Sequence, residues 1–188
     1  MLSSVLTSAI AFISTNIDDF LILTVLYTQA RMPLEERNIT LGHTLGIACL
    51  TMISLVGAFG TRLLPMQYVR LLGLVPILLG LRTLINHWRL HESDDIPADT
   101  VYTGCISTAA VTIANGADNI GVYVPLFADF SPVQLLTAFV VFFLMNLLWC
   151  HLGKHVSDLP IIRNVVRRYK EIVMGSVFIL IGLYILIK

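Results

Sequence analysis

Six stretches of this chain are apolar over about the length needed to cross a bilayer, and nothing else in the sequence limits the fold as strongly. They cover residues 3–27, 38–60, 68–86, 104–127, 132–150 and 171–187. Hydrocarbon offers no water to backbone amides and carbonyls, so a segment of about 20 residues crosses it by bonding its own backbone as a helix. Composition agrees, with 56% hydrophobic and 13% charged residues and a mean hydropathy of +0.83. The expected fold is an all-α integral membrane protein with six transmembrane helices. Pro33 and the charges around it mark a turn in water after the first run, and Pro76 predicts a kink in the third.

The helices divide into two sets of three. Residues 73–85 match residues 175–187 at 8 of 13 positions, including both glycines of each segment, Gly73 and Gly80 against Gly175 and Gly182. The sequence therefore reads as repeat 1 over 1–90, a polar linker over 91–103 and repeat 2 over 104–188. Three spans is an odd number, so the second repeat enters the membrane from the opposite side and the repeats are inverted. Inverted repeats that meet at a polar midplane site are the architecture of secondary transporters. Arg31, Arg37, Arg82, Arg89, Lys154, Arg163, Arg167, Arg168 and Lys170 collect on one side, against Arg62, Arg70 and Lys188 on the other. The positive-inside rule places the linker in the cytoplasm and both termini outside.

Polar residues inside the apolar runs then carry the functional argument. Ser14-Thr15-Asn16-Ile17-Asp18-Asp19 lies in the first run and Ala114-Asn115-Gly116-Ala117-Asp118-Asn119 in the fourth. A shift of 99 residues superposes Asn16 on Asn115 and Asp19 on Asp118. A carboxylate at mid-membrane costs roughly 2.5–3.5 kcal/mol, so it is expected to face inward and to work. Residues three apart share a helical face, which directs Asn16 with Asp19, and Asn115 with Asp118, toward a common centre. Carboxylate and amide oxygens together form a cation site for a hard or borderline divalent ion. The Asn-Gly pair at 115–116, with Gly121 and Pro125 beyond it, predicts a broken helix whose carbonyls add ligands. Asp18 faces elsewhere and aligns with Ala117; it reads as a proton carrier or as the partner of Thr15 in a capping box. His43, within the second run, is a candidate metal or proton ligand as well as a buried packing residue. Asn146 reads as glue between helices, and His151 and His155 as solvated residues at a helix end.

Other classes are poorly supported. The 12 basic and 12 acidic residues balance, so no nucleic-acid partner is expected. Cys49, Cys105 and Cys150 form no Cys-x-x-Cys pair, which argues against a membrane thiol-redox carrier. No cleavable signal peptide is expected, because residues 1–12 lack a basic n-region. Neither an enzyme nor a bound cofactor is expected beyond the transported ion.

Thr15-Asn16-Ile17-Asp18-Asp19 and the segment from Thr112 to Phe127 resemble the CadD-type cadmium-resistance transporters of bacteria, in the lysine-exporter superfamily. The resemblance implies a plasma-membrane exporter of divalent heavy-metal cations, cadmium first. Oxygen ligands alone suit manganese as readily, and an amino-acid exporter of the same superfamily is disfavoured because no buried cation awaits a substrate carboxylate. The partners expected are the metal ion, protons as counter-ion and the bilayer, with a homo-oligomer or an accessory-subunit role compatible with the sequence.

Overall fold

The computed structural model describes residues 2–61, 74–89, 104–157, 172, 176, 178–184, 186 and 187. Linker 91–103, the start of the third span, the basic stretch 163–170 and much of the sixth span lie outside the described residues. The helices are α1 (Leu2–Thr15), α2 (Ile17–Gln29), α3 (Pro33–Thr61), α4 (Leu74–Arg89), α5 (Cys105–Asn115), α6 (Ala117–Asp129) and α7 (Pro132–Val156). Residues 178–184 are helical as well.

The first apolar run, expected as one span, is instead two helices bent by 57° at Asn16. Its sequence explains the break. Ser14 and Thr15 turn their hydroxyls back onto the carbonyls of Ile10, Ala11 and Phe12, and Asn16 Nδ2 adds a third donor to Phe12 O. Such side-chain bonds compete with the helical ladder and bend it. Asp18 and Asp19 then fall in the first turn of α2, where the positive end of the helix dipole favours them. The expected capping box is not formed: Thr15 Oγ1 is committed to Ala11, Phe12 and Tyr123, and α2 begins at Asn16 without a side-chain cap.

The fourth apolar run is divided at Gly116, where the Asn-Gly pair predicted a break. Gly116 N–H reaches back three residues to Ile113 O at 3.2 Å, and Gly116 O accepts from Ile120 N at 3.2 Å. Glycine is required for space, since a Cβ here would run into the side chain of Leu50, itself fully buried. Asp118 lands in the first turn of α6, matching the placement of Asp19.

Among the described residues, α3 and α7 are by themselves long and apolar enough to cross a membrane, and the bent α1–α2 pair passes the same test only when its two helices are taken as one span. That is fewer than six: α4 has 16 described residues, and the 11 residues of α5 gain spanning length only together with α6.

Side-chain contacts fix the directions. Gln134 Nε2 donates to Ser4 Oγ at 3.0 Å, joining the first turns of α7 and α1. At the opposite end Lys154 is bridged to Glu36 at 2.6 Å, Tyr27 OH lies 2.8 Å from Thr40 Oγ1, and Gly153 sits against Leu23 and Tyr27. The α1–α2 pair and α7 therefore run one way and α3 the other. Along α3, Gly42 meets Cys105 and Thr108, Gly46 meets Thr112, and Gly57 meets Val124, so α5–α6 runs with α3. A Cβ on Gly46 would stand 2.6 Å from Thr112 Cβ. Gly42-x-x-x-Gly46 is thus the small-residue seam that lets two helix backbones approach in lipid. It follows that the two broken pairs, α1–α2 and α5–α6, run antiparallel.

Both ends of the bundle are tied by local sequence. Glu35 Oε2 accepts from Arg31 N and Met32 N before α3, and Ser131 and Gln134 form a complete capping box with Pro132 at the start of α7. Asn146 Nδ2 donates to Thr44 Oγ1 at 2.8 Å, the interhelical role expected of it. The core between α1, α6 and α7 is aromatic: Phe142 meets Phe12 at 5.5 Å and Tyr123 at 4.5 Å between centroids, and Trp149 meets Phe12 edge-on at 5.9 Å. Rings this large, locked by a few torsions, give the rigid floor on which the two breaks rest.

Candidate metal site

The two helix breaks face each other. Asn115 Nδ2, at the end of α5, donates to Asp19 Oδ1, in the first turn of α2, at 2.9 Å. This bond spans the two halves of the sequence and brings together one residue from each Asn-x-x-Asp element. Asp19 is 2% exposed, Asp118 is half-buried, and Asn115 is open to the surroundings of the bundle. Asp18 and Asp19 are neighbours in the first turn of α2, and Asp118 lies in the first turn of α6, beyond the Asn115–Asp19 bond. Carboxylates gathered in a low dielectric repel one another unless a proton or a cation stands between them.

Asn16 does not pair with Asp118, as strict symmetry would require. Its Nδ2 donates to Phe12 O at 2.8 Å, Thr15 Oγ1 at 2.9 Å and Tyr123 OH at 2.8 Å. Its backbone oxygen accepts from Trp149 Nε1 at 2.7 Å. Tyr123 OH is also 2.7 Å from Thr15 Oγ1, so one buried phenol from α6 locks the broken end of α1. Across from it Asn119 stands between two groups of acceptors. One end of its amide is 3.3 Å from Asn16 Oδ1; the other lies 3.1 Å from Thr15 O and 3.3 Å from Asp118 Oδ1. With its Nδ2 toward the second group, the Asn119 amide donates to Thr15 O and Asp118 Oδ1. Amide, carbonyl and carboxylate oxygens gathered in this way are the ligand type of hard or borderline cations. Asp118 Oδ1 in addition accepts from the Asn119 backbone N–H at 3.0 Å.

His43 is buried on α3, with Nδ1 3.1 Å from Thr112 Oγ1, one helical turn before Asn115, and with Nε2 lacking a partner among the described residues. Among the described residues no three His, Cys, Asp or Glu side chains converge closely enough to hold a metal ion. Among the described residues, His43 and the carboxylates therefore form no closed cage. A family model for cadmium resistance transporters matches residues 12–188. The chain belongs to the cadmium resistance transporter family. No curated protein and no solved structure matches it. Both breaks lie inside the matched span, which opens at Phe12, the residue whose carbonyl holds Asn16.

For a cadmium resistance transporter the cargo is a divalent metal ion. Tyr123, Asn119 and Trp149 were missing from the candidate residues read from the sequence. A signal existed for two of them: Asn115, Asn119 and Tyr123 recur every four residues and so fall on one face across the break. Trp149 looked like another apolar residue of a spanning helix, and nothing local marks its N–H as a donor to Asn16.

Proposed function

We propose that this cadmium resistance transporter exports divalent cadmium across the plasma membrane in exchange for protons, with Asp19 and Asp118 as the carboxylates that take turns with ion and proton. The observation that carries the proposal is the Asn115–Asp19 bond, which joins two broken helices of opposite direction at their carboxylate-bearing turns. Support for two inverted repeats, 1–90 and 104–188, comes from the same source: α1–α2 is antiparallel to α5–α6, and α3 is antiparallel to α7. Broken helices that meet in this way are where secondary transporters bind ions. Six spans, a cytoplasmic linker and external termini complete the arrangement.

Energetics favour protons as the counter-ion. Moving one charge through 100 mV is worth about 2.3 kcal/mol, so expelling a divalent cation from an inside-negative cell costs about 4.6 kcal/mol before any concentration gradient. Two protons entering for each ion that leaves make the exchange electroneutral and remove that cost. Two mutually repelling carboxylates are suited to the task, because each is stabilised either by a proton or by the metal.

Asp19→Asn and Asp118→Asn keep shape and remove charge. Each is expected to abolish cadmium resistance at normal membrane levels, and retained resistance in both would overturn the site. In inverted vesicles, cadmium uptake should follow an imposed pH gradient and ignore an imposed potential; uptake driven by potential alone would rule out the antiport. The all-oxygen donor set favours one second reading, manganese as cargo, which the same vesicles distinguish by direct competition.

A further inference from the structure

The oxygen site by itself selects poorly between cadmium and the abundant hard cations, because carboxylate and amide ligands suit magnesium, calcium and manganese as well. A nitrogen-donor pair stands elsewhere on the molecule. His151 and His155, four residues apart near the end of α7, are both exposed, with ring centroids 4.2 Å apart. His155 Nδ1 lies 2.9 Å from His151 O. A carbonyl oxygen can only accept, so Nδ1 must carry the proton, and the neutral ring then presents Nε2 as a bare lone pair. Fixing the tautomer through a backbone carbonyl is how proteins prepare an imidazole for a metal. Histidines four apart on a helix share a face and are a recurring divalent-metal pair.

One neighbouring positive charge is offset. Lys154, between the two histidines in sequence, has its ammonium bridged to Glu36 at 2.6 Å, which offsets a charge that would otherwise repel the ion. The last turn of α7 also directs the negative end of its dipole toward the pair. The bridge to Glu36 places the histidines at the same end of the bundle as the α2–α3 connection, the end that the positive-inside rule assigns to the cytoplasm.

The geometry points to His151 and His155 as a capture site for borderline and soft divalent ions at the cytoplasmic entrance, which admits cadmium and zinc ahead of magnesium and calcium. As an entrance, this site rests on the export reading above; as a metal site it does not. Cadmium titration of the full-length protein in detergent, with magnesium in excess, tests the metal site. Transport in inverted vesicles tests the entrance. The double variant His151→Ala with His155→Ala should lose one cadmium-binding event. It should also raise the KM for cadmium with kcat unchanged, and let magnesium compete where it did not before. An unchanged titration overturns the metal site, and lost binding with unchanged KM overturns its role as entrance. The double variant Asp19→Asn with Asp118→Asn separates the two readings: it should lose transport yet keep the histidine-dependent binding event. Transport surviving in that variant would sink the carboxylate site and leave the histidine titration to stand on its own result.

Discussion

At the first helix break the asparagine is fully enclosed: Asn16 is held through its amide by Phe12, Thr15 and Tyr123 and through its backbone oxygen by Trp149. At the second the equivalent Asn115 is exposed and donates to Asp19, while the chain turns on a glycine. Two elements with the same residues at the same spacing have thus been packed to different ends. The first is a fixed anchor that shapes one wall of the site. The second is left exposed, as are neighbouring Ala114 and Ala117, and in the proposed transporter it is the wall through which the ion enters. A transporter needs both, because an ion must bind to something pre-organised and still find a way in.

The largest effect that separates the two walls is on stability. Asn16→Ala removes donors from Tyr123 and Phe12 in a fully buried position, so unfolding should become easier by roughly 1–3 kcal/mol. Asn115→Ala loses one bond at an exposed position and should cost about 1 kcal/mol or less in stability, while raising the KM for cadmium. Thermal unfolding in detergent measures the first, vesicle transport the second. Equal melting points for the two variants would erase the contrast.

Accessibility gives a finer test. Thr15 and Ala114 are repeat counterparts, yet Thr15 is 1% exposed and Ala114 is exposed. With Cys49, Cys105 and Cys150 replaced by serine, Ala114→Cys should react with a hydrophilic maleimide much faster than Thr15→Cys, and cadmium should slow the reaction. Similar rates at both positions would mean that the second break faces lipid and not the ion path.

How far these features could be read from the sequence depends on whether their cause is local. Helices follow from apolar length, and the break at Gly116 from an Asn-Gly pair whose backbone effect is local. The repeat directs both Asn-x-x-Asp elements toward one centre, and the Asn115–Asp19 bond joins one residue of each. A repeat does not predict partners, and symmetry would have given Asn16 to Asp118 where Tyr123 and Asn119 stand. The break at Asn16 also had no glycine to announce it; it comes from three consecutive polar side chains, Ser14, Thr15 and Asn16, bonding back onto their own helix. Hydroxyls of this kind more often sit quietly in membrane helices, as Thr51 and Ser54 do here, so the pattern alone could not decide.

The smallest expected effect concerns Asp18, the one carboxylate without a counterpart. Its equivalent in the second half is Ala117, so the accessible wall carries one carboxylate where the anchored wall carries two. If a divalent ion is neutralised by Asp19 and Asp118 alone, the exchange of two protons for one ion is complete without Asp18. Asp18→Asn should then leave cadmium resistance and the electroneutral coupling in place. The change expected is a modest fall in apparent cadmium affinity, because a nearby negative charge that draws the cation inward is gone. The pair of measurements that decides this is resistance in cells and the response of vesicle uptake to an imposed potential. Should Asp18→Asn make uptake sensitive to potential, Asp18 carries one of the exchanged protons. The anchored wall would then be the one that handles protons, leaving Asp118 on the accessible wall to meet the metal.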